Sequence, residues 1–298
     1  MTRATQAAFA ANATLIGDLW RVTDVSDLDP TWKQPAMNNR NRDGGKVSGV
    51  TFNGTHKDLY YKPIDCRVEA FLLTVCRLAE VPVQHMYLMV PNDKGEYHGL
   101  SELLPTQFRE QDTWSPESQK SDHLKNVDPA KLAKVMAAIL YLERIDAYGQ
   151  NVMVRADRHP IPWWQDDDGN ELPLGERCLR FTWSGNIRLI DLKQCQFGED
   201  HLHPTVDAPN RIGSVFQIKD IIRDHRTTLQ ESNPDGLQAY DTAFKETWRQ
   251  LQFMRGDVLT AIAEDMLPGT WQDYKPLREA ITKLDARSVT PVDSLGIF

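Results

Sequence analysis

No apolar run in the chain approaches the roughly 20 residues needed to cross a bilayer, which argues against a transmembrane helix. The stretch from Met1 to Trp20 lacks the charged start and continuous apolar segment of a signal peptide, so a cytoplasmic location is expected. Cysteine is scarce. Cys66, Cys76, Cys178 and Cys195 are scattered with no CxxC pair, so neither a disulfide framework nor a zinc site is expected; the four read as plain buried thiols. An excess of positive charge is also missing. With 34 basic against 42 acidic residues the formal charge is −8, which carries no strong nucleic-acid signal and argues against a protein that coats DNA or anionic membrane. Two apparent metal motifs are incomplete. His201-Leu202-His203 has no third ligand near by, and Asp166-Asp167-Asp168-Gly169-Asn170 lacks the spacing and terminal glutamate of a calcium loop. Both read as solvated loop.

What remains is a chain of ordinary globular composition, 41% hydrophobic and 26% charged over 298 residues. This length suits one domain with two lobes around adjoining cores. The expected division is an N-terminal extension over 1–43, a small β-rich lobe over 44–105 and a mainly helical lobe over 106–298, an α+β fold. Within the extension, Ala7 to Trp20 has a helical pattern and Asn38 to Asp43 a polar loop. Val47, Val50 and Phe52, a turn at Asn53-Gly54, then Leu59, Tyr60 and Tyr61 predict a hairpin. Val68, Phe71, Leu72, Val75, Leu78 and Ala79 form one stripe at helical period and predict a helix over Asp65 to Glu80. Two strands, Val81 to Val90 and Tyr97 to Leu104, are expected to follow, joined at Asn92-Asp93-Lys94-Gly95.

Thr106 to Asn126 is polar and aperiodic, an expected exposed connection between the lobes. Asp128-Pro129 supplies a cap and a first-turn proline for a helix carrying Leu132, Val135, Met136, Ile139 and Leu140. A strand is expected over Asn151 to Arg155, then a charged excursion from Ala156 to Arg177, and a hairpin over Cys178 to Asp191 that turns at Ser184-Gly185-Asn186. From Val215 to Leu284 the pattern is helical, with Leu237, Tyr240, Phe244, Trp248, Leu251 and Val258 on the buried side of one long helix.

The chemistry lies in the order of certain residues. Transfer of a phosphoryl group from ATP needs cationic contact with the phosphates, Mg²⁺ held by hard oxygen ligands, and a carboxylate beside the acceptor hydroxyl. Gly44-Gly45-Lys46-Val47-Ser48-Gly49 can bring backbone N–H groups close to phosphate oxygens. Lys62 ends a strand, and Glu69 lies on the next helix, able to pair with it. Asp146 and Asn151 form D-x4-N between an apolar helix and a strand, suited to aim a carboxylate at the acceptor and an amide oxygen at a metal. Ile187 to Asp191 is a strand ending in an aspartate, the expected principal Mg²⁺ ligand. Each piece also has an ordinary reading: strand-end lysine, exposed helix glutamate, turn-forming Asp and Asn.

Tyr61-Lys62-Pro63 with Glu69-Ala70-Phe71 and Val81-Pro82-Val83 resembles the ATP-binding lobe of HipA-like bacterial serine/threonine kinases. Asp146 to Val154, DAYGQNVMV, and Leu189-Ile190-Asp191 are similar to the catalytic and metal-binding loops of those kinases and of phosphatidylinositol 3- and 4-kinases. The resemblance covers Gly44 to Phe197, about half the chain. It implies a two-lobed kinase-like fold with Lys62 on phosphate, Glu69 as its partner, Asp146 as catalytic carboxylate, and Asn151 and Asp191 on Mg²⁺. It also implies an adenine-binding connection near Ser101, Glu102, Leu103 and Leu104, a protein substrate, and a serine in the glycine-rich segment, Ser48, open to autophosphorylation; Ser48 also reads as an ordinary turn serine. The pattern departs from ordinary protein kinases: Arg144-Ile145-Asp146 is not His-Arg-Asp, and Asp191-Leu192-Lys193 is not Asp-Phe-Gly. An inositol lipid, a small molecule or AMP transfer remain alternatives on the same fold, as does a nucleotide-binding scaffold without turnover.

Overall fold

The computed structural model describes residues 45–52, 55–62, 64–88, 91, 94–102, 108–110, 127–143, 152–156, 161–163, 178–180, 183–189, 192 and 215–298. The expected helix at Ala7 to Trp20, the loop at Asn38 to Asp43, the two incomplete metal motifs and Cys195 lie outside these residues. The fold is α+β. Strands β1 (Gly45–Phe52) and β2 (Thr55–Lys62) are antiparallel, with Phe52 opposite Thr55, so two residues join them as the Asn53-Gly54 pair predicts. β3 (Met86–Leu88) and β4 (Gly99–Glu102) complete a four-stranded antiparallel sheet in the order β1-β2-β4-β3. Between β1 and β2 the register slips by one residue, since Val47 and Val50 face Leu59 and Lys57. Ser48-Gly49 is therefore a bulge inside β1.

Helix α1 (Arg67–Leu78) packs on this sheet, with Ala70 to Cys76 buried. Its start lies against β4, because a Cβ on Gly99 would sit 2.7 Å from Cys66 Sγ. Only glycine permits that approach. Two residues past the end of α1, Glu80 has a φ of +54° and turns the chain in the left-handed region.

Helix α2 (Pro129–Tyr141) begins where its residues require. The Asp128 carboxylate accepts from the N–H groups of Ala130 and Lys131, and Pro129 occupies the first turn. Every residue from Val135 to Tyr141 is buried, which suits a helix enclosed on several sides. Its neighbours are α3 (Val215–Ser232), α4 (Pro234–Phe253) and β9 (Trp183–Leu189). On α4, Tyr240, Phe244 and Trp248 recur every fourth residue and stack along one face. Tyr141 meets the Trp248 ring edge-on at 5.0 Å between centroids. One contiguous buried cluster joins residues of α1, β3, α2 and all the C-terminal helices.

Four sequence expectations need correction. The supposed connection at 106–126 contains a strand, β5 (Phe108–Glu110), which pairs with β6 (Val152–Ala156). Three residues are too few to show alternation, and the partner strand defines them. The charged excursion at 156–177 contains β7 (Ile161–Trp163), paired with β8 (Cys178–Arg180). β8 and β9 thus do not form the expected hairpin: β9 pairs with β6, giving the order β5-β6-β9. Ser184-Gly185-Asn186 is no turn. Ala156 and Val154 face Trp183 and Ile187, so these turn-forming residues are absorbed as an irregularity within β9. Finally, the long C-terminal helix is two: α4 stops at Phe253, and Val258 belongs to α5 (Gly256–Met266). The break is held by α6 (Lys275–Arg287), whose Asp285 carboxylate accepts from the Gly256 N–H at 2.7 Å.

Candidate functional site

Lys62 is the last residue of β2, opposite Gly99 on β4, and Glu69 is the third residue of α1. Lys62 Nζ donates to Glu69 Oε1 at 2.6 Å. The side chains are 11% and 1% exposed. Removing two charges from water costs several kcal/mol per ion, so such a pair is poor evidence of stabilisation and better evidence of use. The sheet end is fixed around it: Tyr61 Oη and His98 Nδ1 are 2.7 Å apart, and the Cys66 N–H donates to the Tyr97 carbonyl at 2.8 Å.

A second cluster anchors the start of α1. Asp65 Oδ1 accepts from the N–H and Nε of Arg67 at 3.1 and 3.0 Å. The Arg67 guanidinium lies between two rings, 3.5 Å from the centroid of Tyr274 and 5.0 Å from that of Tyr97. Burial opposes the charge on Arg67, but the hydrogen bond and the negative charge of Asp65 outweigh it and raise the pKa. The Tyr274 hydroxyl is also pushed upward, first by burial and then by Asp65.

The segment Pro82 to His85 ties two of the predicted regions together. Leu189 N–H donates to the Pro82 carbonyl at 2.9 Å, and Gln84 N–H donates to the Leu189 carbonyl at 3.0 Å, forming a parallel bridge between Val83 and Leu189. Gln84 Nε2 donates to the Glu102 carbonyl at 2.9 Å, and the Glu102 N–H donates to the His85 carbonyl at 2.8 Å. The end of β4, where the adenine connection is expected, is thereby joined through one short segment to the end of β9. Ser101 is fully buried, and its hydroxyl donates to the Tyr60 carbonyl at 3.4 Å, within the sheet.

Of the other expected site residues, Gly45, Ser48 and Gly49 lie along β1. Gly44, Leu103, Leu104, Asp146, Asn151 and Asp191 lie outside the described residues. Their described neighbours are informative. Val152 pairs with Leu189, so residues 151 and 191 are one and two positions beyond a paired step of one ladder. Asp146 is three residues beyond Glu143, which ends α2 at a φ of +50° and forms an ion pair with Arg287 of α6. Among the described residues no group of three or more His, Cys, Asp or Glu side chains could hold a metal.

No protein-family model and no curated protein matches the chain. Among solved structures, HipA of Shewanella oneidensis MR-1, from a toxin–antitoxin system solved with HipB and operator DNA, is similar at a TM-score of 0.48 and 10% identity. The match covers 92% of this chain and 69% of that one. It is a distant likeness.

Sequence reasoning missed Gln84, the Arg67 cluster and the Glu143–Arg287 pair. Gln84 left a faint signal, a polar residue following Val81-Pro82-Val83 where an apolar one would continue the run. The other two depend on partners far along the chain, and no local pattern announces them.

Proposed function

We propose that the protein is an ATP- and Mg²⁺-dependent phosphotransferase with a two-lobed, kinase-like arrangement, acting on a hydroxyl of a protein substrate. The observation that carries this reading is the buried Lys62–Glu69 pair, joining the end of a sheet strand to the first turn of the adjoining helix. Glu69 holds the Lys62 ammonium in one place, where it contacts the α and β phosphates of ATP. The glycine-rich strand β1, with its bulge at Ser48-Gly49, lies beside β2 and supplies backbone N–H groups toward the nucleotide.

The oxygen donors expected of Asn151 and Asp191, an amide and a carboxylate, fit the preference of Mg²⁺ for hard ligands, and in sequence they flank Val152 and Leu189, which pair in the β6–β9 ladder. Bound there, Mg²⁺ would neutralise charge on the β and γ phosphates. The Asp146 carboxylate orients the acceptor hydroxyl and takes its proton as that oxygen bonds to the γ phosphorus; the bond from the γ phosphorus to the bridging oxygen breaks and ADP leaves. Lys62 opposes the charge that gathers on the leaving oxygen.

Incubation with Mg²⁺ and γ-labelled ATP is expected to label protein, and Asp191→Ala to reduce labelling by at least about 100-fold, as loss of an essential electrostatic group does. Equal labelling by the two proteins would remove the assignment. Label retained from α-labelled ATP would instead indicate AMP transfer.

A further inference from the structure

Helix α6 touches both elements that carry the proposed chemistry, one at each end. At its start, Tyr274 lies against the Arg67 guanidinium, two residues before Glu69 on α1. At its end, Arg287 forms the ion pair with Glu143, three residues before Asp146. Thirteen residues of helix separate these contacts by roughly 20 Å. The rod between them is firmly seated. Leu277, Ala280, Ile281 and Leu284 are buried, the Tyr141 hydroxyl of α2 donates to the Leu284 carbonyl at 3.4 Å, and Asp285 caps α5. Arg287 is further held over the Trp248 ring, at 5.9 Å from its centroid.

We infer that α6 is a strut that fixes the spacing between α1 and the C-terminal end of α2, with Tyr274 and Arg287 as positioning residues at its two ends. The inference rests on the phosphotransferase reading for its purpose and on the geometry alone for its existence. A helix transmits displacement along its axis, because its hydrogen-bond ladder resists compression. Loosening either end should therefore be felt at the other. Contacts that merely pack would act locally, and effects at sites this far apart would add independently.

Amide hydrogen exchange read by mass spectrometry separates the two cases. In Arg287→Ala, exchange within Arg67–Leu78 should quicken by about tenfold, although Arg287 lies at the opposite end of α6 from the Tyr274–Arg67 contact. In Tyr274→Ala, exchange over 139–142 should quicken likewise. Arg287→Lys and Tyr274→Phe, which keep the cation and the ring, should stay near wild type. Exchange that changes only beside each substitution overturns the strut. Should Arg287→Ala fail to fold, the Tyr274→Ala variant read at 139–142 decides alone. In labelling assays each alanine variant should lower kcat with KM for ATP little changed, and the double variant should fall no further than the worse single one. Purely additive losses in kcat would also overturn the strut. A protein that shows the coupled exchange and transfers no phosphate retains the strut and loses the proposed chemistry.

Discussion

In the region of β1 to β4 and α1, a lysine and a glutamate are buried against each other at 2.6 Å, whereas in the region of α3 to α6 the polar side chains in the core are the neutral groups of His225, Thr247 and Ser288. Ion pairs there are more open to water, from Arg226 with Asp241 at 25% and 24% exposed to Lys275 with Glu279 at 76% and 53%. Glu69 is a fully enclosed carboxylate, 2% exposed. A helical core assembled for stability has no use for a buried charge, which packs worse than an apolar side chain of its size. On the phosphotransferase reading, a sheet end that keeps one holds it for the phosphates the charge would meet. Under the proposed function, the contrast separates the part of the molecule that acts from the part that supports it.

Removing one partner tests this most severely. Lys62→Ala leaves the Glu69 carboxylate buried without its lysine and should lower unfolding free energy by about 3–5 kcal/mol in urea titrations. Lys62→Met with Glu69→Leu should recover much of that stability and none of the phosphate transfer. A recovered activity would erase the distinction between the regions.

A middling effect is expected from the buried neutral histidine. Burial lowers the pKa of His225 from 6.5 to about 3. The unfolded chain binds that proton more readily, so this group's penalty is absent above pH 6.5 and grows as pH falls toward 3. At pH 4.5 the cost is about 2–3 kcal/mol. Thermal melts of His225→Leu should therefore show a shallower acid limb than wild type, and parallel limbs would contradict the neutral assignment. The smallest change belongs to the solvated pair. Glu279→Gln should alter stability by less than about 0.5 kcal/mol, and that difference should fade in 1 M salt. A loss comparable to Lys62→Ala would abolish the contrast.

Much of this was legible in the sequence where cause and effect are local. The cap at Asp128, the stripe of α1 and the spacing of Lys62 and Glu69 are set within a few residues. The run Val47, Val50, Phe52 breaks strict alternation, yet its partners Leu59, Lys57 and Thr55 alternate regularly, because the bulge absorbs the odd residue. What sequence could not reveal is set by distant partners. Gly185 reads as a turn until β6 claims β9. The stop between α4 and α5 depends on Asp285, and the corner before Asp146 depends on Arg287.

Glu80 and Glu143 close α1 and α2 in the same way, each with a backbone twisted to positive φ and a carboxylate bound to a cation, Lys134 and Arg287. Glycine would make either corner with less steric resistance, but would give the cation nothing to hold. At both places a single side chain does two jobs, bending the path and tethering it. An exchange for glycine would relax the bend while untying the knot, so neither corner can be improved by the substitution its geometry invites.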